Sequence, residues 1–323
     1  MARNHFVTGA AGFIGFHVCE RLLRRGDRVI GFDNLDPFYP RIVKEENLKT
    51  LERLGDFHFC AGDIRSHEDL DDAIRGQPKI DTIAHLAARP GVSNSILNPA
   101  ECMDINVQGT VQVFELARRV RPDVCVAASS SSVYGNQTKM PFEEEDTVDR
   151  PISPYGVSKR ACELLAYTYW LNFGIPFTVI RPFSVYGPRG RPDMVIYKFA
   201  WRMREGKPIP VWGNGSQKRD FTFIGDFVDG FVAALDKPLG YEIINLGENR
   251  QVVLNDLITD MEKALNVTAI REHQPARTWD IPASWASVDR ARKLLGYEPK
   301  TGIRDGLQQF VDWFATLKEP VRI

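Results

Sequence analysis

Short apolar segments alternate with amphipathic helical patterns up to about residue 180, and this alternation restricts the possible folds more than any other feature of the 323-residue chain. The segments that read as strands are Asn4–Thr8, Arg28–Asp33, Phe57–Ala61, Ile80–Leu86, Val124–Ser129 and Pro176–Arg181. The helical patterns between them are Phe13–Arg25, His67–Arg75, Pro99–Val120 and Ser153–Phe173. Such alternation requires right-handed crossovers between parallel strands. The predicted fold class is therefore α/β, with a doubly wound parallel sheet covered by helices on both faces.

The pattern changes after Arg181, where turn-forming residues become frequent and strand and helix signals are shorter. The later signals are a helix at Met194–Glu205, a strand-helix-strand pattern from 221 to 245, and helices at Leu254–Leu265 and Asp305–Thr316. We predict two units built from non-contiguous segments. The sheet domain takes 1–181 plus 224–246, and a smaller α/β substrate-binding lobe takes 182–223 plus 247–323.

The composition is that of an ordinary globular protein, with 43% hydrophobic and 26% charged residues and a formal net charge of −1. This balance gives no basic field for nucleic acid or for an anionic membrane surface. The apolar stretches are too short to span a bilayer, and the N-terminus enters a strand with no signal-peptide pattern. The five cysteines are scattered, which favours buried thiols in a reducing compartment over disulfides or a metal site. We expect a cytoplasmic protein without a metal.

A glycine-rich loop follows the first predicted strand and leads into the first helix. Gly9, Gly12 and Gly15 form a GxxGxxG pattern, which allows a pyrophosphate to approach the backbone at the positive end of the helix. Asp33 ends the next strand, 18 residues beyond Gly15. A carboxylate there accepts hydrogen bonds from the adenosine ribose and repels a 2′-phosphate. The context therefore predicts a Rossmann site for NAD rather than NADP, and a plain structural loop is the alternative.

A tyrosine and a lysine stand four residues apart at the start of the helix predicted after the fifth strand. Tyr155 and Lys159 therefore share one helix face, where the ammonium group can stabilise a phenolate and allow the tyrosine to act as a base. A pair of this kind also occurs by chance on exposed helices. Its position downstream of the glycine loop, and after the serine run 129–132 at a strand end, favours the catalytic interpretation.

Taken together, these features resemble the extended short-chain dehydrogenase/reductase family. The resemblance includes the segment His85-Leu86-Ala87-Ala88, the serine run before Val133-Tyr134-Gly135, and landmarks at Arg219-Asp220-Phe221 and 294–297. It implies a Rossmann domain with a small substrate lobe, and a homodimer formed through the helices near 99–120 and 153–173. The further cofactor contacts that it implies are Phe13, Ile14, Asn34, Asp63, Ile64, Leu86, Ala87, Ala88, Asn106 and Pro182, besides the catalytic pair.

The same resemblance implies a reaction at C4 of a nucleotide sugar. Tyr155 would take the proton of the 4-hydroxyl while the hydride passes to NAD, and Ser130 and Ser132 would bind the same sugar. The 4-keto sugar then turns over, and the hydride returns to its other face. Dehydratases of the family carry Thr-Asp-Glu where this chain has Ser130-Ser131-Ser132, and the decarboxylases usually carry Glu at the position of Ser132. The missing carboxylates favour an epimerase.

The segments 184–194 and 138–142 resemble those of the UDP-glucuronate 4-epimerases. By that likeness Arg191 and Ser184 would hold the sugar carboxylate, Arg219 and Arg277 the diphosphate, and Asp280 the nucleotide ribose. The prediction is therefore NAD-dependent conversion of UDP-glucuronate to UDP-galacturonate. The alternatives are a 4-epimerase of neutral or N-acetylated UDP-hexoses, then a decarboxylase or dehydratase, and finally a non-enzymatic NAD sensor.

For Arg191, Arg219 and Arg277 the alternative interpretation is a solvated surface cation, and several positions depart from the family pattern. Pro90, Pro182 and Gly225 stand where the family usually has other residues, and each could alter the mouth of the pocket. The sequence therefore supports the type of reaction more firmly than the identity of the sugar.

Overall fold

A computed structural model describes residues 2–277, 280–319 and 321 of the chain. The strands are β1 Asn4–Thr8, β2 Arg28–Asp33, β3 Phe57–Ala61, β4 Thr82–His85, β5 Val124–Ala128, β6 Phe177–Pro182, β7 Val185–Tyr186, β8 Ile209–Trp212, β9 Lys218–Arg219, β10 Thr222–Phe223, β11 Tyr241–Leu246, β12 Val252–Val253 and β13 Arg271–Gln274. The helices are α1 Phe13–Arg24, α2 Arg41–Leu51, α3 His67–Ile74, α4 Val92–Leu97, α5 Pro99–Met103, α6 Gly109–Val120, α7 Pro154–Phe173, α8 Val195–Arg204, α9 Ile224–Leu235, α10 Leu254–Leu265, α11 Asp289–Leu295 and α12 Ile303–Ala315.

Seven strands form one sheet in the order β11-β6-β5-β4-β1-β2-β3, and every neighbouring pair is parallel. Each strand of β1, β2, β4 and β5 is largely buried because helices cover both faces of the sheet. All the carboxyl ends therefore meet at one edge, with the loop after β1 at its centre. This is the doubly wound Rossmann architecture that the alternation predicted.

The predicted strands and helices of the sheet domain are confirmed to within about two residues at each end, with one interruption. The helix expected over 99–120 is divided into α5, a π-helical turn at Asp104–Gln108, and α6. Asn106 lies in this turn, and its amide binds both the backbone N–H and the carbonyl of Arg89. The wider π-helical turn thus directs the buried Asn106 side chain towards the loop after β4, and π-bulges often place side chains in this way.

Helix α2 was not expected from the sequence. Its inward face carries Lys44 and Asn47 beside Leu48 and Leu51, and all four are buried. Because two of the buried side chains are polar, the segment lacks the regular apolar period by which an amphipathic helix is recognised in a sequence. Both polar residues approach the loop after β1 or the end of β2, as described below.

The chain returns to the main sheet after residue 223. Strand β11 pairs with β6 at the sheet edge, and α9 packs against α1. Three two-stranded sheets, β7–β10, β9–β12 and β8–β13, lie among the remaining segments. The predicted division into 1–181 plus 224–246 and 182–223 plus 247–323 stays a prediction.

Membrane-spanning helices and clustered metal ligands are both absent from the residues that the structure describes. None of their helices has both the length and the apolar character that crossing a bilayer requires. No group of three or more histidine, cysteine or acidic side chains in these parts of the chain is arranged to hold a metal ion.

Candidate active site

A cavity of about 360 Å³ opens at the carboxyl edge of the sheet, over the ends of β1, β2, β4, β5 and β6. Such an edge is where ligands bind in doubly wound folds. Most of the residues singled out in the sequence line this cavity: Gly9, Gly12, Phe13, Ile14, Gly15, Asp33, Asn34, Asp63, Ile64, Leu86, Ala87, Ala88, Ser130, Ser132, Tyr155, Lys159, Pro182, Ser184 and Arg191. The fold thus brings the predicted cofactor, catalytic and carboxylate-binding residues to one place.

The loop after β1 and the first turn of α1 each require a glycine. Gly9 has a φ of +73°, and a Cβ there would lie 2.8 Å from the backbone nitrogen of Ala87. A Cβ on Gly15 would overlap the carbonyl of Gly9. The loop therefore packs tightly against the segment after β4, and the first turn of α1 is exposed to the cavity as a binding site for a pyrophosphate.

Asp33 lies at the end of β2 with a buried carboxylate that faces the cavity. It accepts hydrogen bonds from the backbone N–H groups of Leu35 at 2.8 Å and of Ala11 at 3.2 Å. Burial raises the pKa of Asp33, and the ammonium group of Lys44, 3.7 Å away, opposes that shift. The glycine cradle and this carboxylate fit a dinucleotide with free ribose hydroxyls.

Asp63 and Ile64 lie beyond β3 at the outer end of the cavity. The Asp63 carboxylate accepts hydrogen bonds from Arg65 at 2.7 and 2.9 Å and from Asn34 at 3.1 Å. The bonds from Arg65 lower the pKa of Asp63 to about 2. The acid is therefore already engaged by protein groups, and it can contribute to an adenine site mainly by closing the end of the cavity.

The predicted catalytic side chains meet at the nicotinamide end of the cavity, over β5. The Lys159 ammonium donates to the carbonyl of Ala128 at 2.8 Å and lies 6.0 Å from the centre of the Tyr155 ring. The Ser130 hydroxyl donates to that of Ser132 at 3.1 Å. The helix begins at Pro154 because Ser153 caps it, accepting from the N–H of Gly156. A base, a cation and two hydroxyls thus surround one space.

Asn106 does not line the cavity, in contrast to its predicted role as a cofactor contact. Its side-chain amide accepts a hydrogen bond from the N–H of Arg89 and donates to the Arg89 carbonyl. It also donates to the Ser158 hydroxyl at 2.9 Å. The side chain therefore acts one layer behind the wall, where it joins the loop after β4 to α7. The predicted contact between Asn106 and the cofactor stays a prediction.

Arg191 projects into the cavity from the loop after β7. Its guanidinium carbon lies 5.8 Å from the centre of the Phe38 ring, and it is paired with Asp193. Burial is the largest effect and by itself would lower the pKa of Arg191, but the charge and hydrogen bond of Asp193, together with Tyr155 and Tyr39, raise the pKa overall. Ser184 lines the same part of the cavity.

The remaining three predicted residues lie beside a second cavity. Arg277 and Asp280 line it, and the Arg277 guanidinium carbon is 3.5 Å from the centre of the Trp212 ring. Arg219 forms an ion pair with Asp280 and donates to the Lys218 carbonyl at 2.8 Å. The structure thus groups these three with one another and apart from the catalytic residues. Trp212 was not singled out in the sequence.

The first cavity is also lined by residues that the sequence did not single out, and the polar and aromatic ones among them include Asp36, Phe38, Tyr39, Lys44 and Arg89. Arg89 binds Asp36 through two bonds of 2.6 and 2.9 Å and stacks on Phe38, which joins the loop after β4 to the loop after β2. Arg89 could have been identified from the sequence, because it is a cationic residue directly after the His85–Ala88 segment. Lys44 was hidden because α2 was not predicted.

Comparisons with known proteins agree with this site. The model of the NAD dependent epimerase/dehydratase family matches residues 5–247. A UDP-glucuronate 4-epimerase of Thermodesulfobacterium geofontis is 42% identical over 310 residues, which cover 96% of this chain and 95% of that one. The crystal structure of a UDP-glucuronic acid 4-epimerase from Bacillus cereus, in complex with UDP-glucuronic acid and NAD, is 36% identical, with a TM-score of 0.90 and coverage of 97% and 99%.

A UDP-glucose 4-epimerase from Thermotoga maritima, solved with UDP-glucose, is also similar, at 29% identity and a TM-score of 0.89, with coverage of 97% and 98%. The family match takes in the whole cofactor edge of the sheet and extends over most of the chain. The chain therefore belongs to the NAD dependent epimerase/dehydratase family.

Proposed function

We propose that the protein is an NAD-dependent epimerase that inverts C4 of UDP-glucuronate to give UDP-galacturonate. The observation that carries the proposal is the placement of Arg191 in the same cavity as Tyr155 and Lys159. A guanidinium beside the catalytic pair suits a sugar that carries a carboxylate. The 42% identity to a UDP-glucuronate 4-epimerase over nearly the whole of both chains supports the same substrate.

The side chains divide the work on the sugar between them. NAD, when bound, supplies the acceptor and donor of a hydride. Tyr155 takes the proton from the 4-hydroxyl and later returns one, and the nearby Lys159 ammonium stabilises the phenolate form. Ser130 and Ser132 are placed to hold the same oxygen by hydrogen bonds. Because oxidation is followed by reduction at the same carbon, the reaction is redox-neutral overall.

The second cavity suits the nucleotide end of the substrate. Arg277 and Arg219 supply positive charge for a diphosphate, and Asp280 can accept hydrogen bonds from a ribose. Trp212, which is half-buried and lines this cavity, offers an aromatic ring to a planar base. We propose that UDP extends from this cavity towards Arg191, so that the glucuronate reaches Tyr155.

We also propose that two copies associate through α7 and the neighbouring helices α5 and α6. Three large apolar side chains on α7, Val157, Leu164 and Leu171, are seven residues apart and 44%, 52% and 60% exposed. Residues at that spacing share one helix face, and such a stripe is typical of a helix–helix interface. The proposed assembly is a homodimer, and the proposed location is the cytoplasm.

Proton NMR of the purified protein with UDP-glucuronate and NAD tests the function. We expect a slow approach to a mixture of UDP-glucuronate and UDP-galacturonate, without net NADH and without carbon dioxide. Release of carbon dioxide would identify a decarboxylase instead. Absence of any change with a panel of UDP-sugars would contradict an epimerase.

A 4-epimerase of neutral UDP-hexoses is the second candidate, since the chain is also similar to a UDP-glucose 4-epimerase. The substitution Arg191→Ala separates the two. We expect it to reduce kcat/KM for UDP-glucuronate by about 100-fold, because a charge-assisted pair is lost. If the natural substrate is neutral, turnover of UDP-glucose should exceed that of UDP-glucuronate in the wild type and should survive this substitution.

A further inference from the structure

Arg191 is already bound to a carboxylate of the protein itself. Its Nε donates to Oδ1 of Asp193 at 2.9 Å, and its Nη2 donates to Oδ2 at 2.7 Å. The two side chains are only 21% and 30% exposed, so water screens this pair incompletely. A residue expected to recognise a carboxylate therefore has an internal carboxylate as a competitor.

The geometry of the pair leaves room for a second carboxylate. Asp193 occupies the side of the guanidinium formed by Nε and Nη2. Within the described parts of the chain, Nη1 of Arg191 has no hydrogen-bond partner, and the end formed by Nη1 and Nη2 retains donors for a bidentate contact. The Phe38 ring lies against the guanidinium, which limits its rotation. Asp193 thus orients Arg191 and leaves its end edge available.

The pair also changes the charge that a substrate meets. Together, a guanidinium and its paired carboxylate have no net charge. The pair therefore attracts an incoming carboxylate less strongly than a free arginine would. Asp193 itself repels that group, because like charges in a partly buried site disfavour one another. A neutral sugar would be insensitive to both effects.

We propose that Asp193 is a positioning residue that limits how tightly Arg191 holds the sugar carboxylate and keeps the guanidinium in place when that carboxylate moves away. This inference rests on the proposed function. The 4-keto sugar has to turn over between the two hydride transfers, so its carboxylate cannot remain fixed to one guanidinium. Asp193 keeps Arg191 paired and aligned while the sugar turns.

The test is the substitution Asp193→Asn, with binding of UDP-glucuronate, UDP-glucose and UDP measured by calorimetry on the NAD-loaded protein. Asn removes the charge but keeps an oxygen that can accept from Nε of Arg191. We expect UDP-glucuronate to bind about ten-fold more tightly, while the Kd values of UDP-glucose and UDP change less than about two-fold. In turnover of UDP-glucuronate, we expect KM and kcat to fall together, because the carboxylate is held too strongly.

Two further variants separate charge from shape. Asp193→Glu keeps the charge, so we expect it to preserve the wild-type ratio of the two UDP-sugar affinities. Asp229→Asn makes the same change of charge at an exposed ion pair with Arg21, on the surface of α9 and outside both cavities, and should alter neither affinity. If Asp193→Asn does not fold, as judged by its affinity for UDP, Asp193→Ser takes its place.

Weaker binding of UDP-glucuronate by the charge-removing variant, or an equal shift for both UDP-sugars, would overturn the inference. A merely structural role of Asp193 predicts that pattern, because a disturbed pocket loses affinity for both sugars. The wild type reports separately on the function. If it converts UDP-glucuronate and the variant contradicts us, only the role of Asp193 is wrong. If the wild type neither binds nor converts UDP-glucuronate, the function and this inference are both wrong.

Discussion

At the scale of single residues, the chemistry depends on side chains that the strand ends deliver to one cavity. Tyr155 is the proposed base, and Lys159 is held 6.0 Å from its ring by a bond to the Ala128 carbonyl. We expect Tyr155→Phe to lower kcat by about 10²–10⁴-fold, because the proton of the 4-hydroxyl then has no acceptor. Turnover is measured by NMR and bound NAD by its absorbance after denaturation. Loss of NAD together with activity would contradict a role in proton transfer.

Asp33 carries the second prediction at this scale, which concerns the choice of cofactor. Its carboxylate is held by the N–H groups of Leu35 and Ala11 and faces the cavity. We expect Asp33→Ser to improve the affinity for NADP relative to NAD by about ten-fold, because repulsion of a 2′-phosphate is removed. Titration of the apoprotein with both cofactors measures the ratio. An unchanged ratio would show that Asp33 does not contact the ribose.

At the scale of elements, a buried ion pair joins the catalytic helix to the sheet. Glu163 on α7 accepts from Arg181 on β6 at 2.7 and 2.9 Å, and both side chains are almost completely buried. The same carboxylate accepts from the hydroxyl of Ser129, the residue before the catalytic serines, at 2.6 Å. Although burial opposes ionisation, Arg181 keeps the pKa of Glu163 below its usual value. The pair thus fixes α7 relative to the end of β5.

We expect Glu163→Gln to lower the free energy of unfolding by about 3 kcal/mol, because it leaves Arg181 buried without its counter-charge. Urea denaturation monitored by circular dichroism measures the change. Glu45→Gln is the matched control, since Glu45 forms an exposed pair with Arg41 on α2, and it should cost no more than about 0.5 kcal/mol. Equal effects of the two substitutions would contradict the proposed role of the buried pair.

At the scale of the whole molecule, two buried carboxyl groups lie where segments that are distant in the chain meet. Asp220 accepts from the N–H groups of Glu248 and Ala286, and the Glu248 side chain is only 6% exposed. Burial raises the pKa of Asp220 to about 6, and burial together with the charge of Asp226 raises that of Glu248 to about 7. Because both values lie above those of the unfolded chain, which are about 4, the stability that these groups contribute is fully present only below about pH 4. It is lost progressively as the pH rises from there through 6 to 7.

Glu248→Gln tests this pH dependence. Gln resembles the protonated acid, so we expect the unfolding free energies of variant and wild type to agree at about pH 4, below the pKa of glutamate in the unfolded chain. At pH 8 the variant should be more stable by about 1–2 kcal/mol, because the wild type then buries a charge. Urea denaturation at the two pH values measures this difference. A variant that is less stable at pH 8 would show that the ionised carboxylate is favourable in the fold.

The proposed dimer is also a property of the whole molecule. We expect Leu164→Glu to shift the protein from dimer to monomer in size-exclusion chromatography with light scattering, because a charge replaces an exposed apolar side chain at the centre of the α7 stripe. Ile42→Glu alters another exposed apolar side chain, on α2 and away from the helices of the proposed interface, and serves as the control. A monomeric wild type would contradict the proposal directly.

The sequence by itself determined the parallel sheet, the glycine loop and the Tyr155–Lys159 pair, because each of these depends on a local period or spacing. Gly9 and Gly15 were recognisable from their spacing, and the structure supplies the reason for it, since a side chain at either position would overlap backbone. Only the tertiary structure showed that Arg191 is paired with Asp193, that Arg277 stacks on Trp212, and that Asn106 lies behind the cavity wall.

The physical reason is that these last contacts depend on where whole elements come to rest. Helix α2 carries Lys44 and Asn47 on its buried face because Lys44 pairs with Asp33 and the Asn47 amide donates to the carbonyl of Ala11. These polar residues interrupt the apolar period by which a helix is predicted. The π-helical turn likewise places the Asn106 side chain where it accepts a hydrogen bond from the N–H of Arg89, 17 residues away in the chain. Local patterns determine elements, whereas long-range polar contacts are decided only when the elements pack.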